Sequence, residues 1–87
     1  MISVGDLVVS LCGHDRGKLF IVIGCDDFTV TIADGKLRKT TKQKIKNIKH
    51  VSNTGIHTDL INNVPQYAVD ATIRREIKRL EKLITEV

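Results

Sequence analysis

Up to residue 51 the apolar residues of this chain come only in short runs, each cut off by a turn signal before it reaches helical length. That punctuation is the signature of a small β domain built from short antiparallel strands. Residues 7–12 read as a first strand, residues 13–17 as its loop, and residues 18–25 as a second strand. Asp26 and Asp27 mark the next turn. Residues 28–33 alternate, which predicts Phe28, Val30 and Ile32 on one inward face. Asp34-Gly35 predicts a two-residue hairpin, because glycine accepts the positive φ of such a turn. Residues 37–41 and 45–51 complete a five-stranded set, the last of them with the option of a helical turn. Phe20 and Phe28 are expected in the core.

Past residue 51 the pattern changes. Residues 52–55 read as linker, and residues 58–63 have room for one helical turn. Pro65 suits the start of a helix. From about Asp70 onward, Ile73, Ile77, Leu80, Ile84 and Val87 recur at spacings of four and three, an amphipathic stripe. Asp70–Arg74 and Lys82–Glu86 are placed to pair at i,i+4. The expected division is therefore a β domain over 1–52, a linker with a possible helical turn over 53–69, and a helix over 70–87. That stripe has two uses: covering an outer sheet face that includes Ile21 and Ile23, or forming a dimer seam, for which barely two heptads is short.

Eighty-seven residues suffice for one core, not two, and leave little room for a deep catalytic cavity. The formal net charge is +4, which favours acidic partners. Its placement is the stronger clue. Lys36, Arg38, Lys39, Lys42, Lys44, Lys46 and Lys49 fall in one acid-free stretch, whereas the cations and carboxylates after His50 balance. The N-terminus has neither the basic flank nor the apolar stretch of a signal peptide, and no run reaches membrane-spanning length, so a cytoplasmic protein with reduced Cys12 and Cys25 is expected.

The run Gly5-Asp6-Leu7-Val8-Val9-Ser10-Leu11-Cys12-Gly13-His14-Asp15-Arg16-Gly17-Lys18 resembles a KOW motif: a Gly-Asp start, an apolar strand, and a G-x-D-x-G-K loop. With residues 33–39 and 44–51, it is similar to a group of short bacterial KOW-domain RNA-binding proteins related to large-subunit ribosomal proteins of the archaeal and eukaryotic type. The likeness covers about the first fifty residues; beyond them only the plan of linker then helix agrees. It implies a mainly β fold, a five-stranded SH3-like barrel with a C-terminal α-helix. It also implies binding of structured RNA, ribosomal RNA in particular, in a translation or ribosome-assembly setting, with ribosomal proteins as possible neighbours.

The residues themselves fit that expectation. Gly13 and Gly17 permit a sharp turn and can bring backbone N–H groups close to phosphate. Arg16 and Lys18 flank the turn, Arg as a fork for phosphate oxygens, and His14 is suited to stacking or hydrogen bonding. The bland alternative is that the glycines only build the turn and Asp15 caps it. In the basic stretch, Lys36, Arg38 and Thr40 would share a strand face, with Lys42, Lys44 and Lys46 alternating beyond and Lys49 extending the line, a strip able to track phosphates. Its bland alternative is an edge strand whose lysines block aggregation, a role that one or two lysines satisfy. Candidate RNA contacts are thus His14, Arg16, Gly17, Lys18, Lys36, Arg38, Lys39, Lys42, Lys44, Lys46 and Lys49. Aromatic residues are 3% of the chain, so phosphate, sugar and shape should dominate over base stacking.

Other chemistry finds little purchase. Cys12, His14, Cys25, His50 and His57 have no zinc-type spacing. Cys12 and His14 lack a third group to make a catalytic thiol. Asp26-Asp27 is a turn rather than a carboxylate dyad. No enzyme, metal, cofactor or membrane role is expected, and the chain is read as a monomer or weak homodimer. The rival class is a protein-interaction module that docks on ribosomal or transcription machinery through its helix.

Overall fold

The computed structural model describes residues 1–85. Five strands, β1 (Asp6–Ser10), β2 (Leu19–Cys25), β3 (Thr29–Ala33), β4 (Lys44–Asn47) and β5 (Val51–His57), form one antiparallel sheet in the order β4-β3-β2-β1-β5. The edge strands β4 and β5 are consecutive in the chain, linked by a single 3-10 turn over Ile48–His50. Short 3-10 turns at Leu60–Asn63 and Gln66–Ala68 then lead into α1 (Val69–Thr85).

Period-two alternation gives this sheet two apolar faces. Leu7, Ile21 and Ala33 lie in one cross-strand row and face α1. Val8, Phe20, Val22, Val30 and Ile32 point the other way and pack with Val51. Bulges between Asp6 and Val8 and between Val22 and Gly24 shift the register of the central strands.

The helix stripe lies on the sheet, as the first of its two uses requires. Val69, Ile73 and Leu80 are buried against Leu7, Ile21 and Ala33, with Ile23 and Ile77 at the margin. Burying a side chain such as Ile73 or Leu80 contributes about 1.5–3 kcal/mol. Glu76 falls on the same buried stripe. The Thr58 hydroxyl donates to it at 2.6 Å, and Arg79 grips both its oxygens at 2.9 Å. The Arg79 fork is the strongest influence on this carboxyl; it outweighs burial and holds the group below its ordinary range.

Several sequence expectations change. Residues 52–55 are not linker but lie within β5, hydrogen-bonded to β1. Phe28 is 75% exposed, because the strand begins one residue later and the Asp26 carboxylate accepts the Phe28 and Thr29 amides in a turn. Residues 37–41 form no strand; a loop carries the chain to a 3-10 turn at Thr40–Lys42. Asp34-Gly35 is accordingly no two-residue hairpin. Asp34 accepts the Lys36 and Arg38 amides, and Gly35, at φ +75°, is pressed against α1. Asp70 and Arg74 do not pair. The Asp70 carboxylate accepts the Thr40 amide at 2.8 Å and its hydroxyl at 3.2 Å, while Arg74 donates to the Gly35 carbonyl. Glu86 and Val87 lie outside the described residues.

Candidate nucleic-acid interface

The loop after β1 is a compact set of turns. Its N–H groups bond inward: Arg16 to Gly13, Gly17 to Ser10 and Lys18 to Asp15 carbonyls, at 3.2, 2.8 and 2.9 Å. Gly13 and Gly17 do take positive φ, 78° and 82°, so the turn needs them. The Gly17 amide, however, is occupied by Ser10, which corrects its assignment as a backbone donor to phosphate. From this loop His14, Arg16 and Lys18 are exposed and extend as side chains.

Asp15 is the organising residue, with a larger part than a simple cap. It is buried, and its carboxylate reaches Arg38 at 3.4 Å and Lys44 at 3.3 Å. Burial alone would raise its pKa. The Lys44 hydrogen bond and the Arg38 and Lys44 charges overcome that, and the net direction is down. One carboxylate thus clamps the 13–17 loop to the 34–44 segment.

The basic stretch divides as a result. Arg38 is half-buried, its guanidinium on Asp15 and its Nε enclosed without a partner. Lys44 is tied to Asp15. Lys46 pairs opposite Val30 on the inner sheet face, is only 8% exposed, and donates through Nζ to the Cys12 carbonyl at 3.0 Å. These three are structural cations, which corrects their place in a continuous exposed strip. The strip itself also fails geometrically, since residues 36–42 are loop and turn rather than alternating strand. Lys36, Lys39, Lys42 and Lys49 remain exposed, and with Arg16 and Lys18 they form no ion pair among the described residues.

The sequence offers the helix cations Arg74, Arg75, Lys78, Arg79 and Lys82 as further RNA contacts, an option weakened by interleaved acids, but gives no sign of the groove that Arg74, Arg75 and Lys78 border. The 17–19 loop, the 34–37 loop and α1 border an open groove of about 730 Å³. Lys18, Lys36, Arg74, Arg75 and Lys78 line it, against two carboxylates, Asp34 and Glu81. The helix looked charge-neutral because its cations and acids interleave. On the folded helix one acid, Glu76, turns inward to Thr58 and Arg79, while Arg75 and Lys78 stay exposed at the groove. The signal available in sequence was that Glu76 falls on the apolar stripe.

Among the described residues, no group of three or more His, Cys, Asp or Glu is placed to hold a metal ion, and no helix is long and apolar enough to cross a membrane. Cys12 and Cys25 are free thiols. Fold and site together define a small antiparallel β domain with a docked helix and a clustered basic surface. No protein-family model matches the chain, and no curated protein matches it.

Proposed function

We propose that this chain is a non-enzymatic RNA-binding protein of the KOW type, its sheet an SH3-like barrel. In this reading it recognises structured RNA, ribosomal RNA foremost, by phosphate and shape contacts during translation or ribosome assembly in the cytoplasm. The observation that carries the reading is the Asp15 clamp. It ties the loop that carries Arg16 and Lys18 to the segment that carries Lys36, Lys39 and Lys42, and all five cations are exposed with no ion pair among the described residues. A cluster of exposed cations is repelled internally and gains most from a polyanion, whose counterions it releases. Docking through the helix finds less support, since the main apolar stripe already packs on the sheet.

The test is binding of the full chain to a structured ribosomal RNA fragment, single-stranded RNA and duplex DNA across a salt series. The expected result is steep salt dependence and a preference for the structured RNA. The triple variant Arg16→Ala, Lys39→Ala, Lys42→Ala should lower the salt slope by roughly 2, at about 0.7–0.9 per lost phosphate contact. Weak binding to all three nucleic acids, or an unchanged slope in the variant, would overturn the assignment.

A further inference from the structure

We propose that the groove between the 17–19 loop, the 34–37 loop and α1 holds an unpaired nucleotide of a structured RNA, with its flanking phosphates bracketed by Lys18 and Lys36 on one wall and Arg75 and Lys78 on the other. The proposal rests on the RNA-binding reading above and narrows its ligand.

Three observations point to a nucleotide rather than to a continuous duplex. First, the groove mixes charge with apolar surface: between its cations lie Leu19, Leu37 and Ile77. Tracking a duplex backbone requires cations alone, whereas an extruded nucleotide offers a ribose and a base face beside its phosphates. Second, Leu37 is 77% exposed, yet its loop is fixed. Asp34 accepts the Lys36 and Arg38 amides at 2.8 and 2.9 Å, and Gly35 is pinned to α1 by Arg74. An apolar side chain held out at a groove by a braced loop is a contact surface with its ordering cost already met. Third, the groove, about 730 Å³ and open to solvent, has the size of small-ligand sites.

The cationic walls set the charge of the occupant. Asp34 is directed to its own loop amides, so the side chains free to meet a ligand's anionic groups are Lys18, Lys36, Arg75 and Lys78. An acidic peptide with apolar residues would satisfy the same chemistry. RNA is favoured because the chain carries further exposed cations next to the groove loops, Arg16 just before Lys18 and Lys39 and Lys42 after Lys36. One polyanion can therefore cover groove and loops together. With no aromatic ring in the lining, base contact falls to Leu37 and to the guanidinium plane of Arg75.

The experiment compares two RNA hairpins that differ only in a single-nucleotide bulge, binding the full chain across a salt series. The wild type should bind the bulged hairpin about fivefold more tightly than the perfect one, less than a base stacked on an aromatic ring would supply. Leu37→Ser, at an exposed position, should erase most of that preference. Arg75→Ala with Lys78→Ala should lower the salt slope on the bulged hairpin by roughly 1.5. Equal, salt-steep binding of both hairpins would overturn the groove inference and leave the RNA reading intact. So would full bulge preference in Leu37→Ser. Failure of both hairpins and of the ribosomal fragment would remove both readings. Displacement of the bulged hairpin by a labelled acidic-apolar peptide, with equal affinity for the two hairpins, would make the groove a peptide site.

Discussion

Gly35→Ala is the most informative single perturbation of this fold. Gly35 has φ +75°, and a Cβ there would fall well inside contact distance of the Asp70 carbonyl oxygen and 2.9 Å from Arg74 Cγ. The obstacle is helix backbone, which cannot move without displacing α1. A left-handed conformation costs a non-glycine residue about 1–2 kcal/mol, and overpacking adds about 1–3 kcal/mol. A total of about 3 kcal/mol compares with roughly 4–13 kcal/mol for a whole domain of this length. At about 4–8 °C per kcal/mol for a domain of this size, the midpoint should fall by roughly 12–24 °C. Gly17→Ala is the internal control, with a similar φ of +82° and nothing within 4 Å of the added methyl group. It should cost only the conformational part, about 1–2 kcal/mol. Thermal unfolding followed by circular dichroism separates the two. A Gly35→Ala midpoint within about 5 °C of Gly17→Ala would refute the claim that loop and helix meet in backbone contact here.

Two further outcomes follow from the ion pairs. Asp15→Asn removes the clamp between the loops; because Arg38 and Lys44 are each about one-third exposed, the loss should be only about 1–2 kcal/mol. It should appear as a lower urea midpoint with faster amide exchange at residues 16–18, and an unchanged midpoint would count against the clamp. His57 bridges Asp6 and Asp59, each at 2.8 Å, and the Asp6 and then the Asp59 hydrogen bonds raise its pKa above the ordinary 6.5. A raised histidine stabilises fully below its unfolded value, and the gain is lost as pH rises through the folded one. Asp6 is shifted the other way: burial opposes, but the Ser3 amide, His57 and Asn53 prevail, so its contribution is lost as pH falls through its lowered pKa. The midpoint advantage of wild type over His57→Gln should therefore be fully present below the ordinary histidine value of 6.5 and shrink as the pH rises through the raised folded value; a difference independent of pH would show that the bridge does not form.

The pattern of apolar residues was enough to read the central strands and the helix. Alternation over residues 28–33 put Val30 and Ile32 on one inward face as found, though Phe28, expected with them, is exposed. The helix stripe follows from its four-three spacing, whereas its seat against Ile21 and Ile23 was one of two uses the spacing left open. What was illegible depends on contacts between distant residues. Asp34-Gly35 has the local chemistry of a hairpin, and only the later arrival of the helix, at Asp70, makes it a docking point. Residues 52–55 look like linker because Asn53 and Gly55 are poor strand formers in sequence. They pair because β1 offers an unfilled edge, and because the Thr54 hydroxyl donates to the Leu7 carbonyl at 2.7 Å. Lys46 looked like one more surface cation; its burial depends on the Cys12 carbonyl that receives its ammonium group.

The same division of charge explains why binding and folding should separate only in part. Arg38, Lys44 and Lys46 hold loops and strands in place, so under the proposed RNA-binding function their removal should weaken binding through disorder as well as through lost charge. Lys39, Lys42 and Arg16 face solvent and carry no such duty, so their removal should change affinity and salt slope at constant stability. α1 belongs to both groups. Its apolar side covers Leu7 and Ile21, and its other side brings Arg75 and Lys78 to Lys18 and Lys36. A variant that undocks α1, such as Gly35→Ala, must therefore lose the groove along with its stability. Reduced RNA binding by that variant says nothing about contact at Gly35, whereas reduced binding by Leu37→Ser at an unchanged midpoint does locate the ligand.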